Sequence, residues 1–419
     1  MSRHIATALV DRAAEADVVA SLSGHREVEL VRRCRDVVEL RAVVATGQVD
    51  VVVVDPALRG LDRDVVHALR QAGVVTVVLT EADGDRLSQL GGVPVLAVGA
   101  GGLVGVLGRQ PPPPLPDPAA PGAARPGSVV AVWGPSGAPG RTTVAIELAA
   151  ALSRQGTDTL LVDADTVGPA VGQQLGLVDD TSGVAAAVRI ASAGPLRAHE
   201  LAALAVAVPS GPRVLVGLPN AARWTELRPA SWEAVLACAR QTVPLTVVDV
   251  GYGLEGDDTR WADPATPQRF GAALSTLATA DVLVCVGRSD PVGVVRLVRE
   301  LPRARDCAPT AVPLVVMNHA GATAARRGVD DVVTEMLDLP VTLHVPDDSR
   351  ATRSALQHGC AVVEVEPRSP VVQASEELAS RVVQLLGSYD RPRAAVPRSH
   401  RRLLRGAHRR HRRRDARVV

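Results

Sequence analysis

The chain has 419 residues, 47% of them hydrophobic and 2% aromatic, with a formal net charge of +1. That is apolar material for two or three domains whose cores must be built from Val, Leu and Ala, as in parallel sheets covered by helices. All 46 basic residues are arginines, which excludes lysine-based chemistry, and the five scattered cysteines (Cys34, Cys238, Cys285, Cys307, Cys360) form no C-x-x-C pair, which excludes a zinc ribbon or a disulfide framework and suits a reducing compartment.

Residues 4–108 alternate apolar strands with helical patterns. Strands are predicted at Ile5–Val10, Glu27–Val31, Val49–Asp55, Val74–Thr80 and Val93–Val98, with helices over 12–22, 34–46, 61–71 and 83–90. Five strands separated by helices predict a doubly wound parallel sheet. The order of elements resembles a response-regulator receiver domain: Asp55 ends the third strand where a phospho-acceptor would sit, Thr80 ends the fourth where a switch hydroxyl would sit, and Asp11 stands for a magnesium-binding acid. The fifth strand departs from that pattern, because Ala97-Val98-Gly99-Ala100 offers no cation. Without a counter-ion for a phosphoryl group, the expectation for 1–108 is a non-phosphorylated pseudo-receiver that serves docking or dimerisation. No secretory signal is expected, since Met1–Asp17 carries charge throughout. The uncharged run Gly91–Gly108 reaches the lower limit of a membrane span, but seven of its eighteen residues are glycine, so no transmembrane segment is expected.

Residues 109–128 hold eight prolines, the signature of a semi-rigid extended linker. Beyond it the pattern is strand (Val129–Trp133), Gly/Pro loop (134–140), helix (142–155) and strand (159–162). Residues 168–203 are weakly patterned and predict short helices. Strands follow at Ala205–Val208, Arg213–Leu218, Leu245–Asp249, Asp281–Val286, Leu314–Met317 and Val341–Val345. Helices are predicted over 231–241, 291–300, 326–337, 349–358 and 371–386, and a mobile loop over Gly256–Gln268. This succession supports one mostly parallel sheet with helices on both faces.

The loop carries the chemical signal. From Ser128 the chain reads Ser-Val-Val-Ala-Val-Trp-Gly-Pro-Ser-Gly-Ala-Pro-Gly-Arg-Thr-Thr, an apolar strand running through a glycine loop into a helix, where backbone N–H groups and a helix N-terminus suit a phosphate. Laid on 135–142, the pattern G-x-x-x-x-G-K-[ST] finds Gly140 and Thr142 in place but Pro135 for glycine and Arg141 for lysine. Acids end two further strands, at Asp163 and Asp165 and at Asp249, where magnesium and attacking water would be handled. No Ser/His/Asp or paired-carboxylate hydrolase constellation is discernible elsewhere.

These residues, with Val248-Asp249-Val250-Gly251-Tyr252-Gly253, Val316-Met317-Asn318-His319 and Val345-Pro346-Asp347-Asp348, resemble the MinD/ParA group of deviant Walker A ATPases. Within that group the likeness is to the CpaE/TadZ-like proteins of pilus-assembly loci, in particular their actinobacterial, septum-site-determining-like branch. It covers about 129–386. The fold implied is α/β: a receiver-like doubly wound domain (1–108), the linker (109–128), a MinD/ParA-like P-loop NTPase domain (129–390) and a tail (391–419). The cofactors implied are ATP and Mg2+. Gly134, Ser136, Gly137, Ala138, Gly140, Arg141, Thr142 and Thr143 would hold the nucleotide's phosphates. Asn318 would contact the adenine, and Pro346 and Asp347 would line it. Thr142 would bind magnesium and Asp249 would reach it through water; Asp165, with Asp163 beside it, would orient the attacking water. The family's signature lysine, which crosses a dimer interface onto the partner's nucleotide, is replaced by Ser136, and Pro135 and Pro139 lack backbone N–H groups.

The resemblance implies a cytoplasmic, homodimeric localisation or scaffold factor, a weak ATPase if active, that positions a Flp/Tad-type pilus or secretion machine or regulates septum placement. The tail supplies a further partner. Residues 391–419 hold twelve arginines against one acid, Asp415, while 1–390 hold thirty-four arginines against forty-four acids. A disordered basic tail of this kind suits an anionic membrane surface at the inner face of the cell membrane, or nucleic acid. Two alternatives stand beside this reading: a ParA-like DNA-partitioning ATPase, and a nucleotide-free interaction module that has lost ATPase activity.

Overall fold

Unbroken apolar strands need cover on both faces, because alternate side chains point to opposite sides of a sheet. Val51–Val54 is such a run, with all four valines buried. In the computed structural model, which describes residues 3–23, 25, 27–80, 90, 93–96, 126–137, 139–177, 182–255 and 268–388, it is the middle strand of a five-stranded sheet. That sheet is built from β1 (Arg3–Ala8), α1 (Arg12–Ser23), β2 (Val28–Arg33), α2 (Val37–Ala45), β3 (Val51–Val54), α3 (Arg63–Gln71), β4 (Val75–Thr80) and β5 (Val93–Leu96). Every pairing is parallel and the order is β2-β1-β3-β4-β5, a common doubly wound order. Ala6, Val52, Val54 and Val78 enter one core with Leu40, Val66 and Leu69. Ile5, Val51, Val53 and Val77 enter the other with Val18 and Leu22.

The second sheet follows from β6 (Ser128–Trp133), α4 (Arg141–Arg154), β7 (Thr159–Ala164), α5 (Val171–Gln174), α6 (Gly183–Ala193), α7 (Ala198–Leu204), β8 (Val206–Ala207) and β9 (Arg213–Leu215). It continues with α8 (Pro229–Thr242), β10 (Leu245–Val250), α9 (Gly271–Thr279), β11 (Val282–Arg288), α10 (Pro291–Cys307), β12 (Val312–Ala320), α11 (Thr323–Leu337) and β13 (Val341–Pro346). Helices α12 (Ser349–His358), α13 (Val362–Val365) and α14 (Pro370–Ser388) close the described chain. The order is β13-β12-β11-β6-β10-β7-β9-β8, parallel except for the antiparallel β8–β9 edge. Val129, Ala131 and Trp133 of β6 enter a core with side chains of α6, α8, α9 and α10. Val130 and Val132, also buried, point the other way, toward the face where α4 packs on β6, β7 and β10.

Several elements differ from the sequence expectation, among them the short helix α13, which was not predicted. Helix α9 was not predicted, and α10 runs seven residues past the expected end, through Pro302 to Cys307. The predicted helix over 83–90 lies outside the described residues except for Leu90, as do most of the linker, the loop after Glu255 and the whole of 391–419. The chain divides into two compact units, Met1–Ser380 and Arg381–Val419; of the second, only residues 381–388 are described, and they are helical.

Inside the first unit the two sheets are joined through α3. The Asp64 carboxylate, buried, accepts from the backbone N–H groups of Ala230 (3.1 Å) and Ser231 (3.4 Å) and from the Ser231 hydroxyl, which caps the N-terminus of α8. Arg228 binds Asp62 at 2.6 Å and lies 3.4 Å from Asp64. At the far end of α6, Arg63 donates from Nε to the Ala191 carbonyl (2.8 Å) and from Nη2 to that of Gly194 (3.4 Å). An acid at a helix N-terminus and a cation at a C-terminus both complement the helix dipole.

Candidate functional site

Strand β6 is paired on both sides, with β10 and β11, so its C-terminal end delivers residues 134–140 to the middle of the sheet. Gly137 and Gly140 adopt φ of 104° and 93°, a region that side chains disfavour. Gly140 is the N-cap of α4 and has no side chain with which to cap it. The first-turn N–H groups of a helix have no partner within it, and here they face the loop with the positive end of the helix dipole behind them. Arg141, Thr142 and Thr143, all half-buried, form that first turn. Ser136 is half-buried in the loop, Gly134 is buried at its start, and Ala138 lies outside the described residues.

Arg141 folds back over its own loop. Its Nη1 donates to the carbonyls of Gly134 (3.2 Å) and Pro135 (3.0 Å), and Nη2 lies 3.6 Å from Asp165 Oδ2. Its Nε is buried with no hydrogen-bond partner.

Strand register then brings the acids together. Asp249 on β10 is the direct partner of Asp163 on β7, and the two are 1% and 2% exposed. Strand β7 runs through Ala164, past the expected end at 162, so Asp163 lies within the strand rather than after it. Asp163 is satisfied, because it accepts from the backbone N–H of Asp165 (3.2 Å) and of Val171 (3.0 Å). Burial still raises its pKa, and the Asp165 charge adds to the rise. Asp165 turns its Oδ1 to the N–H groups of Val167 (2.7 Å) and Gly168 (3.0 Å).

Asp249 differs. Both of its oxygens are buried and neither has a hydrogen-bond partner of good geometry among the described residues. Burial, then the charge of Asp163, pushes its pKa well above the ordinary range; the nearby Thr142 hydroxyl and the Arg141 charge oppose that rise without satisfying the carboxylate. A buried carboxylate without partners costs free energy unless it takes a proton or a cation. The group implied for this place is Mg2+, and the donors fit: an oxygen-only set of a hydroxyl and an orphaned carboxylate suits a hard cation that ordinarily completes its shell with waters and phosphate oxygens. Among the described residues no group of three or more His, Cys, Asp or Glu side chains comes together as a metal cage.

On the other side of the loop, Asn318 at the end of β12 is buried and donates from Nδ2 to the Pro139 carbonyl at 2.8 Å. That donor holds the loop, so an adenine contact through it requires the bond to open. Pro346 pairs with Ala320 at the end of β13, and Asp347 Oδ1 accepts from His319 Nδ1 at 3.2 Å. His319 itself has a left-handed φ of 54°. These residues gather at the C-terminal ends of parallel strands, where open α/β sheets bind ligands.

Sequence reasoning missed Arg296. It reaches from α10 to the loop, where Nη1 donates to the Ser136 carbonyl at 3.3 Å. A cavity of ≈ 250 Å³ lies between the loop and the start of α10. In the sequence, Val-Val-Arg-Leu-Val-Arg-Glu reads as an ordinary amphipathic helix with a solvated charged face; no local signal marks this arginine.

Known proteins are similar to parts of this chain. Residues 126–224 match the ParA family model described as NUBPL iron-transfer P-loop NTPase. The chain is 24% identical over 263 residues to an uncharacterized ATP-binding protein of Methanocaldococcus jannaschii, across 61% of this chain and 87% of that one. Among solved structures it is similar to a ParA family ATPase from Chlorobium tepidum (16% identity, 61% of this chain and 99% of that chain, TM-score 0.52). It is also similar to the septum site-determining protein MinD of Pyrococcus horikoshii complexed with Mg-ADP (18% identity, 62% and 97%, TM-score 0.49). The sequence match over 126–224 supports a ParA-type P-loop NTPase relationship for that stretch, and the Chlorobium structure supports an α/β fold of mostly parallel strands with helices on both faces.

Proposed function

We propose that the loop from Gly134 to Thr143 binds ATP with Mg2+. The observation that carries this is Asp249, a buried carboxylate with neither oxygen in a hydrogen bond of good geometry among the described residues, beside the Thr142 hydroxyl at the first turn of α4. In this reading the first-turn N–H groups, with the backbone of Ser136, Gly137 and Ala138, cradle the phosphates, and Thr143 contacts them. Arg141 exchanges the carbonyls of Gly134 and Pro135 for phosphate oxygens. Thr142 and Asp249 would hold the metal, which would supply neutralisation of phosphate charge. Asp165, anchored by two backbone N–H groups, is placed to orient a water, with Asp163 holding the turn from Asp165 to Val171 in shape. Asn318, Pro346 and Asp347 border the base. The relative in Methanocaldococcus is an ATP-binding protein by name, which agrees with this assignment.

On that foundation the chain is a CpaE/TadZ-like localisation or scaffold factor, homodimeric, that positions a pilus, secretion or division machine. The front sheet is a pseudo-receiver for docking, and the basic tail engages an anionic membrane surface or nucleic acid at the cytoplasmic face. Among the described residues no helix is long and apolar enough to cross a membrane. Thermal unfolding with and without ATP and Mg2+ tests the site. Saturating ligand at about 100 times Kd is expected to add about 2.7 kcal/mol, and Thr142→Ala is expected to remove the gain. An unchanged melting temperature in the wild type overturns the assignment.

A further inference from the structure

We propose that Arg296 reads the terminal phosphate of a nucleoside triphosphate held by the loop, a role that makes it a specificity-determining residue for triphosphate over diphosphate. The proposal rests on the nucleotide reading above and deepens it. The loop is short of free donors, since Pro135 and Pro139 have no N–H. The cations around it are mostly committed. Arg141 is bound to two loop carbonyls and lies beside Asp165. Arg288 is paired with Asp290 at 2.5 Å, and Asp290 in turn caps α10 by accepting from Gly293 N–H.

Arg296 alone of the three has no carboxylate within 4.0 Å among the described residues, and its one protein hydrogen bond is the long contact to Ser136. Its place is built into the backbone. A Cβ at Gly137 would stand 1.8 Å from Arg296 Nη1 and 3.1 Å from Cζ, so a side chain at 137 would displace the guanidinium from the loop. Arg296 lines the ≈ 250 Å³ cavity together with Ser136 and Gly137 of the loop, Val292, and the Arg288–Asp290 pair, whose acid is already matched by its arginine. That volume is roughly eight times a water's share of liquid volume, room for a phosphoryl group and its waters. A planar guanidinium presents several N–H donors in a fork that matches phosphate oxygens; one donor on the Ser136 carbonyl leaves the others for an anion.

The test is calorimetric titration of the full chain with a non-hydrolysable ATP analogue and with ADP, each with Mg2+, for wild type, Arg296→Ala and Arg296→Lys. Wild type is expected to prefer the analogue. Arg296→Ala is expected to weaken the analogue roughly tenfold to a hundredfold, the span of one charge-assisted hydrogen bond, with ADP affinity held within about twofold. Arg296→Lys is expected to recover part of the loss, as a point charge without the fork. Equal weakening of both nucleotides by Arg296→Ala, or no weakening, overturns this proposal while leaving the nucleotide site intact. Wild type that binds neither nucleotide overturns the site itself and this proposal with it.

Discussion

The two sheets place acids at the same topological address and treat them differently. Asp55 follows β3 in the first sheet, where it is half-buried and turns Oδ1 onto the N–H of Ala57 at 2.8 Å; Asp11, after β1, does the same for Ala13 at 2.8 Å. Each serves its own turn and stays near water. Asp249 ends the central region of the second sheet with both oxygens buried and neither in a hydrogen bond of good geometry among the described residues, its register partner being a second buried carboxylate. A turn carboxylate is a local structural device, whereas an orphaned one in a dry site is an unmet demand for a proton or a cation. The comparison teaches where an unmet electrostatic demand lies in this molecule: at the second sheet, beside the loop, whereas the acid that follows β3 is already engaged by its own turn.

The largest expected effect concerns what joins the two sheets. Asp64→Ala leaves the Ser231 hydroxyl and the Ala230 N–H without their acceptor and Arg228 with Asp62 alone. Removing one member of a buried ionic network costs about 3 kcal/mol or more, and chemical denaturation should read that loss in a single transition. A change below about 1 kcal/mol would show that the sheets are held by apolar packing instead.

The next largest effect is a pH dependence in the second sheet, between the ordinary and the raised pKa of a buried glutamate. Glu147 on α4 is buried and accepts from the Val362 N–H at 2.6 Å, and burial raises its pKa from 4.5 to about 7. Between those values the folded chain holds a proton that the unfolded chain has lost, so stability falls as pH rises from about 4.5 to about 7 and then levels off. Asp163 and Asp249 are raised as well and contribute with the same sign. Glu147→Gln is expected to match wild type near pH 5 and to exceed it by on the order of 2 kcal/mol at pH 8. A mutant whose advantage is the same at both pH values contradicts a buried titrating carboxylate.

The smallest effect sharpens the contrast between the acids themselves. Asp55→Asn should alter stability by less than about 0.5 kcal/mol, as surface substitutions do. Asp249→Asn replaces the buried carboxylate with a neutral amide of the same shape, and it is expected to raise the melting temperature of the ligand-free chain at pH 8 while weakening its response to ATP with Mg2+. Equal behaviour of the two variants would erase the distinction between the sheets.

Much of this was legible in the sequence because buried parallel strands write themselves as apolar runs: Val51–Val54, Val129–Trp133 and Leu245–Val250 were placed within a residue or two, and with them Asp163, Asp249 and the loop. Helix α9 was not legible. Its Gly-Ala-Ala-Leu-Ser-Thr-Leu-Ala-Thr has no polar face, since Ala272, Ala273, Thr276 and Leu277 are all buried. The run of α10 through Pro302 was also hidden, because proline is read as a stop even where the fold bears the missing N–H. What no pattern reveals is which partner a side chain chooses. Arg141 on the loop's own carbonyls, Asn318 on Pro139, Arg296 on Ser136 and Asp64 across the sheets all depend on distances between segments 6 to 179 residues apart.

The most direct measurement is a calorimetric titration of ATP into the purified chain at pH 8, with Mg2+ and with a chelator in its place. Binding that tightens markedly with Mg2+, and that loses its dependence on the metal in Thr142→Ala, is the expected result. No heat of binding under either condition, or the same affinity with and without Mg2+, would contradict a metal-assisted triphosphate site between Thr142 and Asp249.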